Sequence, residues 1–464
     1  MKKRMVTLLA LLVAVAIAMP AFAGVEMKYG GQFRTRWVSN DHFDGTDVRD
    51  DNRNYFDQRL RLYFFFVASE NLRLVTRFEV GDITWGDDRT FPTSGGNARF
   101  GSGGRVGADS VNVETKNVYV EFGIPTVPVK AKVGIQGINL LDSWIVDDDF
   151  SAAVFEGKFT PVDVKIGYIA AQNSSITDDD EDINSWFATV DYKYGPWAGS
   201  LLFYGQHSQE TLVSTDPFFF NNNTLFTPVP SPITNRLPDG TTLPVDGNNL
   251  FDLGLNVTYK IDWLKAYVNF VKNFGSVDFS NGTQSIDYTG WMIDGGVNVF
   301  CGPYTFNVGG FYTSGQDPNE NDVTSFTYPL NTTKYFSEIV GGGILDRDTP
   351  IAHTNTAGVA DFEWNGYGNP WNLWTVTAGA AWQALEKTKL SASYWYFGTA
   401  EDVNSLNGTA NDVGHEFDVY LTQGIVDGLT LDIVGAYLIT GDAYTTALEQ
   451  EDAYEVGARL QWSF

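Results

Sequence analysis

Ala453-Tyr454-Glu455-Val456-Gly457-Ala458-Arg459-Leu460-Gln461-Trp462-Ser463-Phe464 are the last residues of the sequence. Tyr454, Val456, Ala458, Leu460, Trp462 and Phe464 fall on one parity, and Glu455, Arg459 and Gln461 on the other. A period of two is that of a β-strand, whose side chains alternate between faces. One face of this strand is apolar and the other carries charge.

The same pattern begins near the other end. Met27, Tyr29, Phe33, Thr35 and Trp37 oppose Lys28, Gln32, Arg34 and Arg36. Leu60, Leu62, Phe64 and Phe66 then oppose Asp57, Arg59 and Arg61. Leu72, Leu74, Thr76, Phe78 and Val80 oppose Arg73, Arg77 and Glu79. The connections separate a water-soluble sandwich from a membrane barrel. Short turns sit at Ala68–Asn71, Ile124–Pro128, Thr160–Val162, Tyr194–Pro196, Lys260–Trp263, Cys301–Pro303, Leu385–Lys387 and Val426–Gly428. Long polar connections alternate with them: Ser39–Asn52, Gly86–Ser110, Leu141–Phe150, Asn173–Ile183, Ser208–Asn248, Gly275–Gln284, Gly315–Pro370, Gly398–Gly414 and Gly441–Asp452. A sandwich would have short connections at both ends. Eight turns and nine loops predict an all-β, transmembrane antiparallel β-barrel of about 18 strands (16–18), with short periplasmic turns and long extracellular loops. Phe66, Phe122, Phe159, Tyr192, Tyr194, Tyr259, Trp382, Trp462 and Phe464 lie on the outward parity near the short-turn end, where an aromatic girdle is expected.

Composition agrees and excludes other classes. Aromatic residues make up 15% and glycines number 47, which favours strands and turns. A net charge of −27 argues against nucleic acid as a partner. The single cysteine, Cys301, can form neither an internal disulfide nor a cysteine-rich metal cluster.

Lys2, Lys3 and Arg4 precede an apolar run from Met5 to Met19, and Ala21-Phe22-Ala23 fits a small-x-small cleavage site. Residues 1–23 therefore read as a signal peptide and residues 24–464 as one barrel domain. No separate plug or periplasmic domain is expected. No later stretch is apolar enough for a spanning helix.

A leader, amphipathic strands throughout and an aromatic terminus with Trp462 and Phe464 two apart resemble a Gram-negative outer-membrane porin. About 18 strands is closer to the substrate-specific porins and the alginate-export type than to general porins. The resemblance implies a water-filled channel for passive diffusion of ions and small polar solutes, integral to the outer membrane. It also implies contact with outer-membrane lipid and lipopolysaccharide, delivery by the barrel-assembly machinery, and a homotrimer or a monomer. Other readings are an exporter of an anionic polysaccharide and a surface-binding barrel with a sealed lumen.

With the polar parity inwards, Arg34, Arg36, Arg59, Arg61, Arg73 and Arg77 form a basic pore-lining wall, which Lys130, Lys132, Lys158 and Lys165 extend. Asp57, Glu79 and Glu121 are its acidic pore-lining neighbours, with Glu156 and Asp163. Later strands add Asp191, Asp252, Asp294, Glu416, Asp418, Asp432 and Glu455. In porins a basic ladder facing acids sets up a field that orients polar solutes, and the resemblance implies the same here. Constriction falls to infolded loops, with Gly86–Ser110, Ser208–Asn248 and Gly315–Pro370 as candidates.

Acidic runs at Asp147–Asp149 and Asp178–Asp182, and the cluster Asp41, Asp44, Asp47, Asp50 and Asp51, read as solvated outside loops. Their spacing matches no EF-hand. The four histidines form no HExxH pair, and neither a GxSxG elbow nor a Walker loop is present. The sequence carries no catalytic constellation, no metal set and no cofactor motif, so an enzyme is not expected.

Overall fold

The computed structural model describes residues 24–43, 52–87, 113–172, 183–208, 245–279, 285–317, 322–330, 334–345, 370–405, 408–444 and 450–464, with short pieces at 90–92, 98–100, 111, 320, 353–354 and 360–362. The leader lies outside them, as do Asp44, Asp47, Asp50, Asp51 and Asp178–Asp182. So do most of Gly86–Ser110 and nearly all of Ser208–Asn248.

Eighteen long strands form the wall. They are β1 (Glu26–Asp41), β2 (Arg53–Ser69), β3 (Leu72–Thr84), β4 (Val113–Gly123), β5 (Val129–Leu140) and β6 (Val146–Phe159). Next come β7 (Val162–Gln172), β8 (Ile183–Tyr194), β9 (Trp197–Ser208), β10 (Val245–Ile261), β11 (Leu264–Phe279) and β12 (Trp291–Cys301). The last six are β13 (Tyr304–Thr313), β14 (Leu373–Leu385), β15 (Thr388–Ser405), β16 (Gly408–Val426), β17 (Leu429–Thr440) and β18 (Ala453–Ser463). Each pairs antiparallel with the next, and β18 returns to β1, from Gln32 opposite Ser463 to Asp41 opposite Tyr454. The three-residue strand Ser285–Asp287 adds a short rung to β11. Closure leaves no sheet edge, the condition for a β-structure to cross hydrocarbon.

The outer face is what the alternation predicts. Val118, Val120, Ile166, Leu201, Phe203, Leu253, Leu255, Val308, Val376 and Val419 are all exposed, an apolar belt that suits lipid rather than water. All eight short turns fall where the sequence places them.

Two of the nine long connections differ from expectation. Leu141–Phe150 shrinks to residues 141–145, because β6 already begins at Val146. Its tight return puts Leu141, Asp142 and Ser143 at φ 52°, 57° and 66°. Asp147–Asp149, expected outside, belong to β6 and pair with Gly137–Asn139 of β5. Gly398–Gly414 is largely strand, since β15 and β16 continue past a register shift until Ser405 meets Gly408.

The inner face holds a second departure. It is not uniformly polar: Ile138, Leu140, Val154, Ile169, Phe187, Leu202, Tyr204, Val271, Met292, Phe311, Leu373 and Phe397 point inwards and are buried. They pack around chain that has folded into the barrel. A dry core therefore lies inside the wall.

Candidate functional site: the lumen and its constriction

Among the described residues, two segments enter the lumen. The first is the turn at 141–145. Trp144, fully buried, donates from Nε1 to Asp294 Oδ2 of β12 at 2.9 Å. Its ring meets Phe311 of β13 edge-on, centroids 5.4 Å apart. These anchors lie six to seven strands round the wall from β6, so the turn reaches across the barrel.

The second is the connection between β13 and β14, here called the lumen segment, described over 322–330 and 334–345. Thr327 N donates to Asn273 Oδ1 at 2.8 Å, and Asn273 Nδ2 returns a bond to Thr327 O at 3.0 Å. Lys334 Nζ bonds Asp142 through its carbonyl at 2.8 Å and its carboxylate at 3.0 Å, tying the two segments together. Phe336 packs against Phe311, Trp395 and Phe397. Beyond it, Glu416 of β16 accepts bonds from Ser337 Oγ (2.8 Å), Ile339 N (2.6 Å) and Val340 N (3.1 Å). Arg36 of β1 donates to Leu345 O, and Arg459 of β18 to Ile344 O at 3.3 Å. Of the three loops named as candidates, Gly315–Pro370 reaches into the lumen among the described residues; most of Gly86–Ser110 and nearly all of Ser208–Asn248 lie outside them.

The sequence does carry a signal for it. Ile339-Val340-Gly341-Gly342-Gly343-Ile344-Leu345 sets two apolar pairs around three glycines inside a polar connection. Gly342 and Gly343 take φ of 74° and 34°, Gly343 N bonds Ser337 O at 2.8 Å, and a β-carbon on Gly343 would collide with Glu338. Glycine permits the return that buries Ile339, Val340 and Leu345 and partly covers Ile344.

The six arginines line up on β1, β2 and β3, but their environments differ. Arg36 is buried and forms a two-pronged pair with buried Asp57. Arg34, also buried, pairs with Asp82 at 3.0 Å. Arg59 stands 3.9 Å from Glu79 and 4.0 Å from Asp82. Arg61 bonds Glu79 at 2.5 Å with its side chain 28% exposed. Arg73 bonds Glu121 at 2.6 Å with its side chain 42% exposed. Arg77 lies over the Tyr63 ring, 4.6 Å from its centroid. Lys130 joins Glu121 at 3.4 Å and Lys132 joins Glu156 at 2.9 Å.

Two expected pore-lining positions therefore need correcting. Arg36 and Asp57 face inwards but sit under the lumen segment, away from water. Asp252, Asp294, Glu416, Asp418, Asp432 and Glu455 likewise point inwards and are buried. Asp82, by contrast, was overlooked. A register shift between Gln58 and Leu60 opposite β3 breaks simple alternation and turns Asp82 to the inner side, the usual effect of a bulge.

Without Arg36, the ladder holds seven cations, Arg34, Arg59, Arg61, Arg73, Arg77, Lys130 and Lys132, against four carboxylates, Glu79, Asp82, Glu121 and Glu156. This wall keeps a positive excess although the whole chain is strongly acidic. Tyr335 of the lumen segment lies within the field of this wall: burial pushes the hydroxyl pKa up, while Arg59, Arg34, Arg36 and Arg61 pull it back.

No family model matches the sequence, and no curated protein sequence matches it either. Solved structures do. Pseudomonas aeruginosa OpdK, solved with vanillate, superposes with a TM-score of 0.54 at 10% identity over 95% of this chain and 98% of that one. Pseudomonas aeruginosa OccK8 (OprE) gives 0.52 at 11% identity, with the same coverage. Acinetobacter baumannii OccAB4 gives 0.52 at 12% identity, again over 95% and 98%. The chain thus has the fold of an outer-membrane porin, an all-β closed antiparallel barrel of eighteen strands.

Proposed function

We propose that the mature chain, residues 24–464 after removal of the leader, is an outer-membrane channel for passive diffusion of small polar solutes and ions. The observation that carries this reading is the division of the interior. Infolded segments fill the sector from β5 round to β17 with a dry core, while the ladder on β1–β6 keeps partly exposed charge. Charges are left half-exposed inside a barrel where water reaches them.

Selection then has two parts. The lumen segment and the turn at 141–145 exclude by size. The ladder, positive in excess, draws anions and the negative ends of dipolar solutes along one wall, where the low-dielectric surroundings strengthen its field. Carboxylate-bearing solutes suit such a wall, and vanillate in the OpdK structure is of that kind. Arg59, Arg61, Arg73 and Arg77 are the residues assigned to the pathway, with buried Arg34, Glu79 and Glu121 holding them from behind.

Reconstitution of the refolded protein in a planar bilayer under a salt gradient tests this. Discrete conductance steps with an anion-favouring reversal potential are expected. Silence from verifiably inserted barrels would overturn the channel reading in favour of a sealed surface-binding barrel.

A further inference from the structure

Strand β16 carries Glu416 and Asp418 on its inner face, both buried. Glu416 already receives three bonds from the lumen segment, and Asp418 lies two residues along the same buried face. Two carboxyls crowded together in a dry site with no cation do not both ionise, so one proton stays between them. Asp418 accepts from Ser393 Oγ at 3.3 Å, and its Oδ1 meets no N–H or O–H donor among the described residues. The lumen segment then brings in a third carboxyl, buried Glu338, which accepts from Ile344 N at 3.1 Å and Leu345 N at 2.9 Å.

The surrounding charges do not neutralise this group. Arg36 and Arg459 approach from the flank, but they donate to the carbonyls of Leu345 and Ile344 and are bonded to Asp57 and Asp432. From β15 only the Ser393 hydroxyl arrives. His415, next along β16, bonds the Tyr394 hydroxyl at 2.8 Å instead. Among the described residues, no Lys or Arg lies within ion-pair distance of Glu338, Glu416 or Asp418. Three ionised carboxyls buried together would repel, and one of them leaves if the segment leaves.

We propose that Glu416 is the positioning residue of the lumen segment and that a proton shared with Asp418 holds it in place. The segment docks while the pair keeps that proton and lifts off β16 when the proton is lost, so the aperture widens as pH rises. The effect on aperture rests on the channel reading. The docking does not.

Amide exchange across 334–345, corrected for intrinsic rates and followed in the full barrel in lipid from about pH 5 to about pH 9, reads docking directly. Above the release point, wild-type protection should fall about tenfold per pH unit for one proton. Asp418→Asn keeps a donor facing Glu416 and should flatten the pH dependence, leaving only the part that Glu338 contributes. Glu416→Gln should lose protection at every pH. Constant wild-type protection overturns the proposal, even if neither variant folds, and so does Asp418→Asn titrating like the wild type. Bilayer recordings on the same preparation separate the two readings. pH-dependent protection without conductance keeps the anchor and removes the channel.

Discussion

Arg36 of β1 and Asp57 of β2 stand opposite each other, joined from Nε to Oδ1 at 3.0 Å and from Nη2 to Oδ2 at 2.7 Å, with side chains 1% and 0% exposed. A pair this dry holds wall to lumen segment and has no access to solute. Asp57→Ala leaves a buried guanidinium without its main counter-charge, which costs about 3–5 kcal/mol. The folding midpoint in urea should drop accordingly, while the reversal potential of whatever protein still folds stays near wild type. A large selectivity change with unchanged stability would return Arg36 to the pathway.

Arg59, Arg61 and Arg73 should behave in the opposite way. Arg61 and Arg73 keep exposed surface, so truncation mainly removes positive potential from the lumen. Arg59→Ala with Arg61→Ala should move the reversal potential towards cations, and Arg73→Ala should add to it. The shift should shrink with salt, because the screening length falls from about 10 Å at 0.1 M to about 3 Å at 1 M. No movement at low salt would take these residues out of the conduction path.

Trp144 tests whether the turn at 141–145 narrows the channel. Trp144→Ala removes the ring packed on Phe311 and the bond to Asp294, at a cost of about 3–5 kcal/mol. With the turn no longer pinned to the far wall, single-channel conductance should rise and become noisier. Trp144→Phe keeps the ring but not the donor, and should fall between the two.

Glu338 gives the pH response a second handle. Burial raises its carboxyl pKa above the usual range, against the lowering effect of the bonds from Ile344 and Leu345. A raised carboxyl binds its proton more tightly docked than free, so docking weakens as pH climbs from the ordinary carboxylate range through the raised value. Below that range Glu338 contributes nothing to the slope. Glu338→Gln should remove this part of the titration. It should also weaken docking in acid, since one of the Ile344 and Leu345 N–H groups loses its acceptor, at about 1–3 kcal/mol. Exchange at Ile344 and Leu345 reads both effects.

The sequence carried the outside of the barrel far better than its inside. Lipid demands an apolar residue at every second position, so Val118, Val120 and Phe122 or Tyr454, Val456 and Ala458 announce their strands locally. The lumen makes no such uniform demand. Phe187 and Leu202 point inwards because the infolded turn and lumen segment cover that side, a condition set by segments remote in sequence from both. Arg36 and Arg61 look alike in sequence, and only the place where Leu345 comes to rest, against Arg36, separates them. Asp82 escaped because a bulge, invisible to alternation, changed its face.

The seam of the barrel supplies the last test. Gly31 N donates to Phe464 O at 2.9 Å and Phe464 N to Gly31 O at 3.0 Å, so the terminal residue is stitched into β1 by both backbone groups. The Phe464 ring lies against Trp462, centroids 4.6 Å apart, and covers Gly31. A β-carbon at Gly31 would collide with that ring, and one at Gly30 would stand 2.9 Å from Phe464 O. The two glycines thus clear the space in which the aromatic terminus docks. Gly31→Val should force the ring out, costing about 1–3 kcal/mol by overpacking. Because β1–β18 pairing is the step that removes the last open edge, refolding into vesicles should slow more than unfolding accelerates. Phe464→Ala in the Gly31→Val background removes the clash with the ring, though not the one with the Arg61 carbonyl at 2.8 Å, and should restore part of the refolding rate. If the double variant folds no faster than Gly31→Val alone, the glycine serves strand geometry rather than the terminal ring.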